Sequence, residues 1–181
     1  MTGSADSLLQ QLLDREAIRD CLYRFCRGID RIDEGALRSA YWPDGTGRHG
    51  AFVGGGTAFI EATLANLRRA GARTNHLLGN ILIDLRGDVA GVESYFRTTL
   101  GGVDSEGKPL ETLLSGRYVD RFERRHGEWR VAHRTVVYDW VHRSPLPPEM
   151  VADMFGTRLP TGEQKPDDPI YELLGQAPFT H

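Results

Sequence analysis

The chain has 181 residues, of which 40% are hydrophobic and 26% charged, a composition far from that of disordered sequences and sufficient for one globular core. Its formal net charge of -3 supplies no general attraction to nucleic-acid phosphates or anionic lipid, so neither is expected as a partner. No window approaches the roughly 18 consecutive apolar residues of a membrane span. The first residues, MTGSADSLLQQLLDREAI, mix acids with leucines and lack a basic, then apolar, leader, so a cytoplasmic protein is expected.

In chain order, Leu8, Leu12, Ile18, Leu22, Phe25 and Ile29 recur at helical spacing and predict a long amphipathic helix over about residues 7 to 30. Cys21 and Cys26 lie on different sides of it and read as reduced, half-buried thiols. DEGALRSAYW predicts a short second helix, capped by Asp33 and ended by Pro43 and the turn-forming PDGTG. A third helix is expected from near Thr57, with Phe59, Ile60, Thr63, Leu64 and Leu67 on one side and Gly71 as its stop. The period then becomes alternating, predicting strands over residues 76 to 86, 89 to 100, 110 to 124 and 128 to 141. Short Gly-containing links between them predict antiparallel hairpins. Helices first and strands after define an α+β class. From Ser144 the chain is Pro-rich but keeps apolar anchors, so it divides into a domain over residues 1 to 143 and an extension over 144 to 181 that packs on the domain or on a neighbouring subunit.

His76 stands at the start of the strand-like TNHLLGNILIDL, and an imidazole there is either structural or a base that titrates near neutrality. Plain alternation puts Asn80 on the same face as His76, deeper in any shared cavity. Asp30, an acid at a helix C-terminus, is slightly unfavourable against the helix dipole, which suggests a function beyond turn formation. Tyr23 lies two helical turns before Asp30, on nearly the same face, and reads either as a hydrogen-bond donor to substrate or as a packed amphipathic tyrosine. Arg134 shares its strand face with apolar neighbours. An inward guanidinium there either stabilises an oxyanion or leaving group, or pairs with Asp120 or Glu111 across the ladder. Tyr41, Trp42, Tyr95 and Tyr138 could line an aromatic pocket or belong to the core. GGG at residues 54 to 56 lacks the context of a phosphate-binding loop, and RRAGAR at 68 to 73 reads as a solvated basic helix end. No CxxC or HExxH spacing occurs, so no metal is expected.

The segments REAIRDCLYRFCRGIDRIDEGALRSAYWPDG, TNHLLGNILID and GRYVDRFERRHGEWRVAHRTVVYDW, in that order, resemble the SnoaL-like branch of the nuclear-transport-factor-two-like superfamily over about residues 8 to 142. The resemblance implies a cone-shaped α+β barrel, a curved mixed or antiparallel sheet wrapped around the long N-terminal helix, with a small-molecule site in its open mouth. It is a resemblance to scytalone dehydratase and to dehydrochlorinase-like lyases, which work without a cofactor. By that pattern Asp30 orients His76 as base and Arg134 helps the leaving group. The expected function is that of a lyase on a hydroxylated aromatic molecule, either a dehydratase or a deformylating lyase of a lignin-derived diarylpropane that gives a stilbene. A polyketide cyclase or isomerase, or a non-catalytic ligand-binding or accessory subunit, is the alternative. A homo-oligomer, trimeric before dimeric, is also implied.

Overall fold

A computed structural model describes residues 5–70, 73–146, 152–153, 156–157 and 160–176. Helix α1 (Ala5–Asp30) is followed by α2 (Glu34–Ser39), strands β1 (Tyr41–His49) and β2 (Phe52–Gly55), and α3 (Gly56–Ala70). Four long strands come next, β3 (Thr74–Arg86), β4 (Val89–Val103), β5 (Pro109–Arg125) and β6 (Glu128–Pro145). A two-residue pair, β7 (Ala152–Asp153) with β8 (Gly156–Thr157), and α4 (Pro169–Gln176) complete the described elements. The main sheet has the order β2-β1-β6-β5-β4-β3 and is curved but unclosed, with β2 and β3 as its edges. It is mixed, because β1 runs parallel to β6 while every other pair is antiparallel.

Hairpin chemistry sets the register of the long strands. Gly87 at the β3–β4 turn has φ 62°, and His126 and Gly127 at the β5–β6 turn have φ 54° and 82°, the left-handed pair that tight hairpins require. The β4–β5 link is held by the Asp104 carboxylate, which accepts from the backbone N–H groups of Glu106 and Lys108.

The core lies between α1 and the concave face of the sheet, where Ile18, Cys21, Leu22, Phe25 and Ile29 meet Val92, Phe96, Tyr118, Phe122 and Val131. Both cysteines are free and buried, which is deeper than expected; burial pushes the Cys21 thiol up to about 11 and Cys26 up to about 12, which disfavours the thiolate at neutral pH. Leu8 and Leu12 belong to the predicted stripe but are exposed, because they lie to the side of the helix face that Asp14, Ile18, Cys21, Leu22 and Phe25 bury. At the sheet edge the Arg15 guanidinium donates to the Ile83 carbonyl at 2.7 Å, joining α1 to the open side of β3.

Two segments depart from the periodicity. PDGTG forms no turn: Tyr41 pairs with Val131 and Thr46 with His133, and the intervening residues are absorbed in an irregular stretch of β1. In β3 a bulge sets Gly79 and Asn80 against Tyr95 alone, since Leu78 pairs with Phe96 and Ile81 with Ser94. His76 and Leu78 face inward before the bulge; Ile81, Ile83 and Leu85 pack on the core after it.

Asp33 caps α2 as expected, its carboxylate accepting from the Ala36 N–H at 3.2 Å. Residues 160–176 fold back on this corner: Lys165 Nζ donates to Asp33 at 3.1 Å, the Lys165 N–H donates to the Arg31 carbonyl at 2.7 Å, and Arg31 pairs with Asp168. No described helix is long and apolar enough to cross a membrane.

The α1–α2 packing depends on Gly28, where a Cβ would stand 2.6 Å from the Leu37 Cβ and 2.7 Å from its backbone. Gly28→Ala is therefore expected to destabilise the fold by about 1–3 kcal/mol, read as a lower midpoint in urea unfolding.

Candidate active site

The last turn of α1 ends beside the first residues of β3, and Asp30 joins the two. Its Oδ1 accepts from His76 Nδ1 at 2.6 Å and from the Thr74 hydroxyl at 2.8 Å, while Oδ2 accepts from the His76 backbone N–H at 2.8 Å. A carboxylate oxygen only accepts, so Nδ1 carries a proton, and in the neutral ring Nε2 keeps the lone pair. Burial raises the Asp30 carboxyl, but the hydrogen bonds and charge of His76, with the bond from Thr74, outweigh it and hold the group below its ordinary value. These partners also offset the unfavourable helix dipole at this position.

His76 opens into a cavity of about 250 Å³ between α1, α3 and the concave face of the sheet. Its walls are aromatic, with Phe25, Phe59, Phe96, Tyr118 and Tyr138, and its polar side chains are His49, Thr63, His76 and Thr98. Thr98 lies directly across the ladder from His76, is 2% exposed, and its hydroxyl has no partner. Among the described residues no group of three His, Cys, Asp or Glu side chains is placed to hold a metal ion.

Arg134 is brought to the site but not into the cavity. It is 0% exposed, and its Nε and one terminal nitrogen donate to Asp120 at 2.8 and 2.6 Å, so of the two pairings considered it is Asp120, not Glu111, that takes the guanidinium. Its guanidinium carbon is 4.1 Å from the ring centroids of both Phe25 and Tyr118, which places the cation behind the aromatic wall. Burial works against both charges and raises the Asp120 carboxyl, but the bidentate pair holds Arg134 charged, above its ordinary value. Direct contact with a leaving group in the cavity is therefore excluded for Arg134 in this arrangement.

The remaining expected residues are scattered. Tyr138 lines the cavity. Tyr41 lies beneath it, fully buried, with its hydroxyl 3.3 Å from His49 Nε2. Trp42 points elsewhere, its Nε1 donating to the Glu123 carbonyl and its ring covered by Arg125 and Arg130. Tyr23 is 51% exposed, because β3 is an edge strand and no described residue covers the face of α1 beyond it. Tyr95 is on the outer face beside Arg117. Asn80 is exposed, since the bulge at Gly79 and Asn80 reverses the alternation that would have carried it inward.

His49 and Thr98 were not picked out by sequence reasoning. His49 hides in the Gly-rich GRHG, which carries turn composition. Thr98 could be found only with the bulge in hand: extending the register of Ile81 with Ser94 would set His76 opposite Thr99.

The fold is an α+β one, a curved, unclosed mixed sheet around an N-terminal helix, with an Asp/His pair beside an aromatic cavity. Residues 10–135 match the SnoaL-like domain, and the chain belongs to that family. No curated protein matches the chain. Among solved structures it is similar to a Mycobacterium tuberculosis protein of unknown function, at 26% identity over 76% of this chain and 78% of that one, with a TM-score of 0.61. A predicted scytalone dehydratase from Novosphingobium aromaticivorans shares 17% identity over 84% and 97% of the two chains, with a TM-score of 0.65. A hexachlorocyclohexane dehydrochlorinase from Novosphingobium barchaimii shares 23% over 77% and 94%, with a TM-score of 0.62. At these last two identities the likeness is one of fold.

The lowered Asp30 value has a definite consequence for stability. Its contribution is fully present above the unfolded carboxylate value of about 4 and is lost as pH falls through the lower folded value. Asp30→Asn should thus lower stability at pH 7 and flatten its decline below about pH 4, measured by urea unfolding across that range.

Proposed function

We propose that the protein is a cofactor-independent lyase, acting in the cytoplasm on a small hydroxylated aromatic molecule, with His76 as base and Asp30 as the residue that orients it. The observation that carries this reading is the 2.6 Å contact between His76 Nδ1 and Asp30 Oδ1, which leaves Nε2 as the acceptor on the cavity side. After proton abstraction the imidazolium would be stabilised by the same carboxylate. The family assignment and the names of two structural relatives, a dehydrochlorinase and a predicted dehydratase, support elimination chemistry.

The cavity narrows the substrate. At about 250 Å³ it falls below the roughly 300–1,000 Å³ of sites for drug-sized ligands and suits one ring or a fused pair. That size favours loss of water from a compact molecule over cleavage of a two-ring diarylpropane. Assembly into a homo-oligomer, a trimer by the family resemblance, belongs to the same proposal; Trp140 on β6, 76% exposed, is apolar surface available for it.

The test is a panel of hydroxylated one-ring and fused-ring compounds incubated with wild type and His76→Ala, followed by ultraviolet absorbance for a new conjugated double bond. Removing the base should lower turnover by about 10²–10⁴-fold. Full activity in the variant would remove His76 from the mechanism. Ring closure or isomerisation in place of elimination would favour the cyclase reading, and binding without turnover by wild type would favour a ligand-binding role.

A further inference from the structure

Residues 161–168 lie outside the part of the chain that matches the family, yet they reach both segments that carry the Asp30–His76 pair. On one side is Arg31, which directly follows Asp30. Its carbonyl accepts from the Lys165 N–H at 2.7 Å, its guanidinium donates to the Glu163 carbonyl at 3.2 Å, and its Nε lies 3.5 Å from the Asp168 carboxylate. On the other side is Arg73, which directly precedes Thr74 and donates to the Thr161 hydroxyl at 3.1 Å and to the Glu163 carboxylate at 3.4 Å. Glu163 thus bridges the two, by its carbonyl to Arg31 and by its side chain to Arg73. Thr74 and His76 are the residues that donate to Asp30, so the extension joins the two stretches of chain that this contact must bring together.

The backbone beside Asp30 is of a kind that has to be held. Two residues after α1 ends, Ile32 takes φ 52°, the left-handed position where glycine is usual, and a β-branched residue is strained there. Such a conformation persists only where its surroundings over-determine it. Ile32 is buried in the core, which fixes its side chain, while its two neighbours are held by the extension: Arg31 by the contacts above, and Asp33 by Lys165 Nζ at 3.1 Å. Asp168 shapes the holding segment in turn. Its carboxylate accepts from the N–H groups of Glu163 at 3.0 Å and Ile170 at 3.1 Å, closing the loop that presents Glu163 and Lys165 to Arg31.

We propose that residues 161–168 form an intramolecular clasp, with Asp168 and Arg31 as positioning residues, that holds the α1–α2 turn against the start of β3 and so keeps the Asp30 carboxylate on the His76 imidazole. A 2.6 Å contact tolerates little movement of the chain segments that carry it. None of the described residues of the extension lines the cavity, so the clasp acts on the pair through the backbone and not through a ligand. The positioning stands on these contacts alone; its consequence for turnover rests on the lyase reading above.

The experiment uses the full chain and needs no substrate. The His76 backbone N–H donates to Asp30, so its amide exchange with water, followed by NMR, reports on the contact directly. Asp168→Ala should speed that exchange by about tenfold and leave the amide of Tyr118, in the centre of the sheet, as in wild type. Asp168→Asn, which keeps an acceptor for the Glu163 and Ile170 N–H groups, should restore part of the protection. Arg31→Ala should reproduce the effect from the other side of the clasp. Asp88→Ala, which breaks the ion pair with Arg124 at the far end of β3, is the control and should leave His76 exchange unchanged. Exchange equal to wild type in both Asp168→Ala and Arg31→Ala would overturn the proposal, as would a rise of the same size in Asp88→Ala or at Tyr118. With any compound that the substrate panel shows to be turned over, Asp168→Ala should lower kcat by about tenfold at unchanged KM. A failed panel beside clasp-dependent exchange at His76 would count against the lyase assignment alone.

Discussion

A buried cation organises this protein. Arg134 is wholly enclosed, and taking a guanidinium and a carboxylate out of water costs several kcal/mol per ion in rough terms unless geometry returns it. The return comes from two directions, the bidentate bond to Asp120 along one edge and the rings of Phe25 and Tyr118 against its faces. Those contacts tie α1 to β5 and β6, and the same two rings form part of the cavity wall. The wall is thus positioned by a charge that lies outside the cavity lining. The charge still acts through the wall: burial first, then the charge of Arg134, lowers the His49 imidazole to about 3.

Against this rigid wall the Asp30–His76 pair is set by local geometry at the meeting of a helix end and a strand start. Three hydrogen bonds converge on one carboxylate, so the orientation of the imidazole is fixed from both its ring and its backbone. This is the kind of placement on rigid elements that precise proton transfer needs.

The parts legible in the sequence are those governed by local period and spacing. α1, α3 and the four long strands follow from helical and alternating patterns, and Asp30 with His76 from the motif spacing of the resemblance. β1 and β2 were missed because PDGTG and GGG carry turn composition; their strand state comes from pairing with β6, a contact that only the fold creates. The same cause accounts for Tyr23 and Asn80, one left outside by an edge strand and the other turned outward by a bulge. Arg134 was readable as inward and charged, yet which of its candidate partners held it depended on the cross-strand register.

The helix contacts along β3 serve another end. As an edge strand, β3 offers a row of unpaired backbone groups on which a foreign strand could dock. Arg15 occupies the Ile83 carbonyl near one end of that row, and Asp30 occupies the His76 N–H near the other. The carboxylate that holds the imidazole therefore also occupies one donor on the open side of the sheet, which leaves one fewer group there for intermolecular β-pairing.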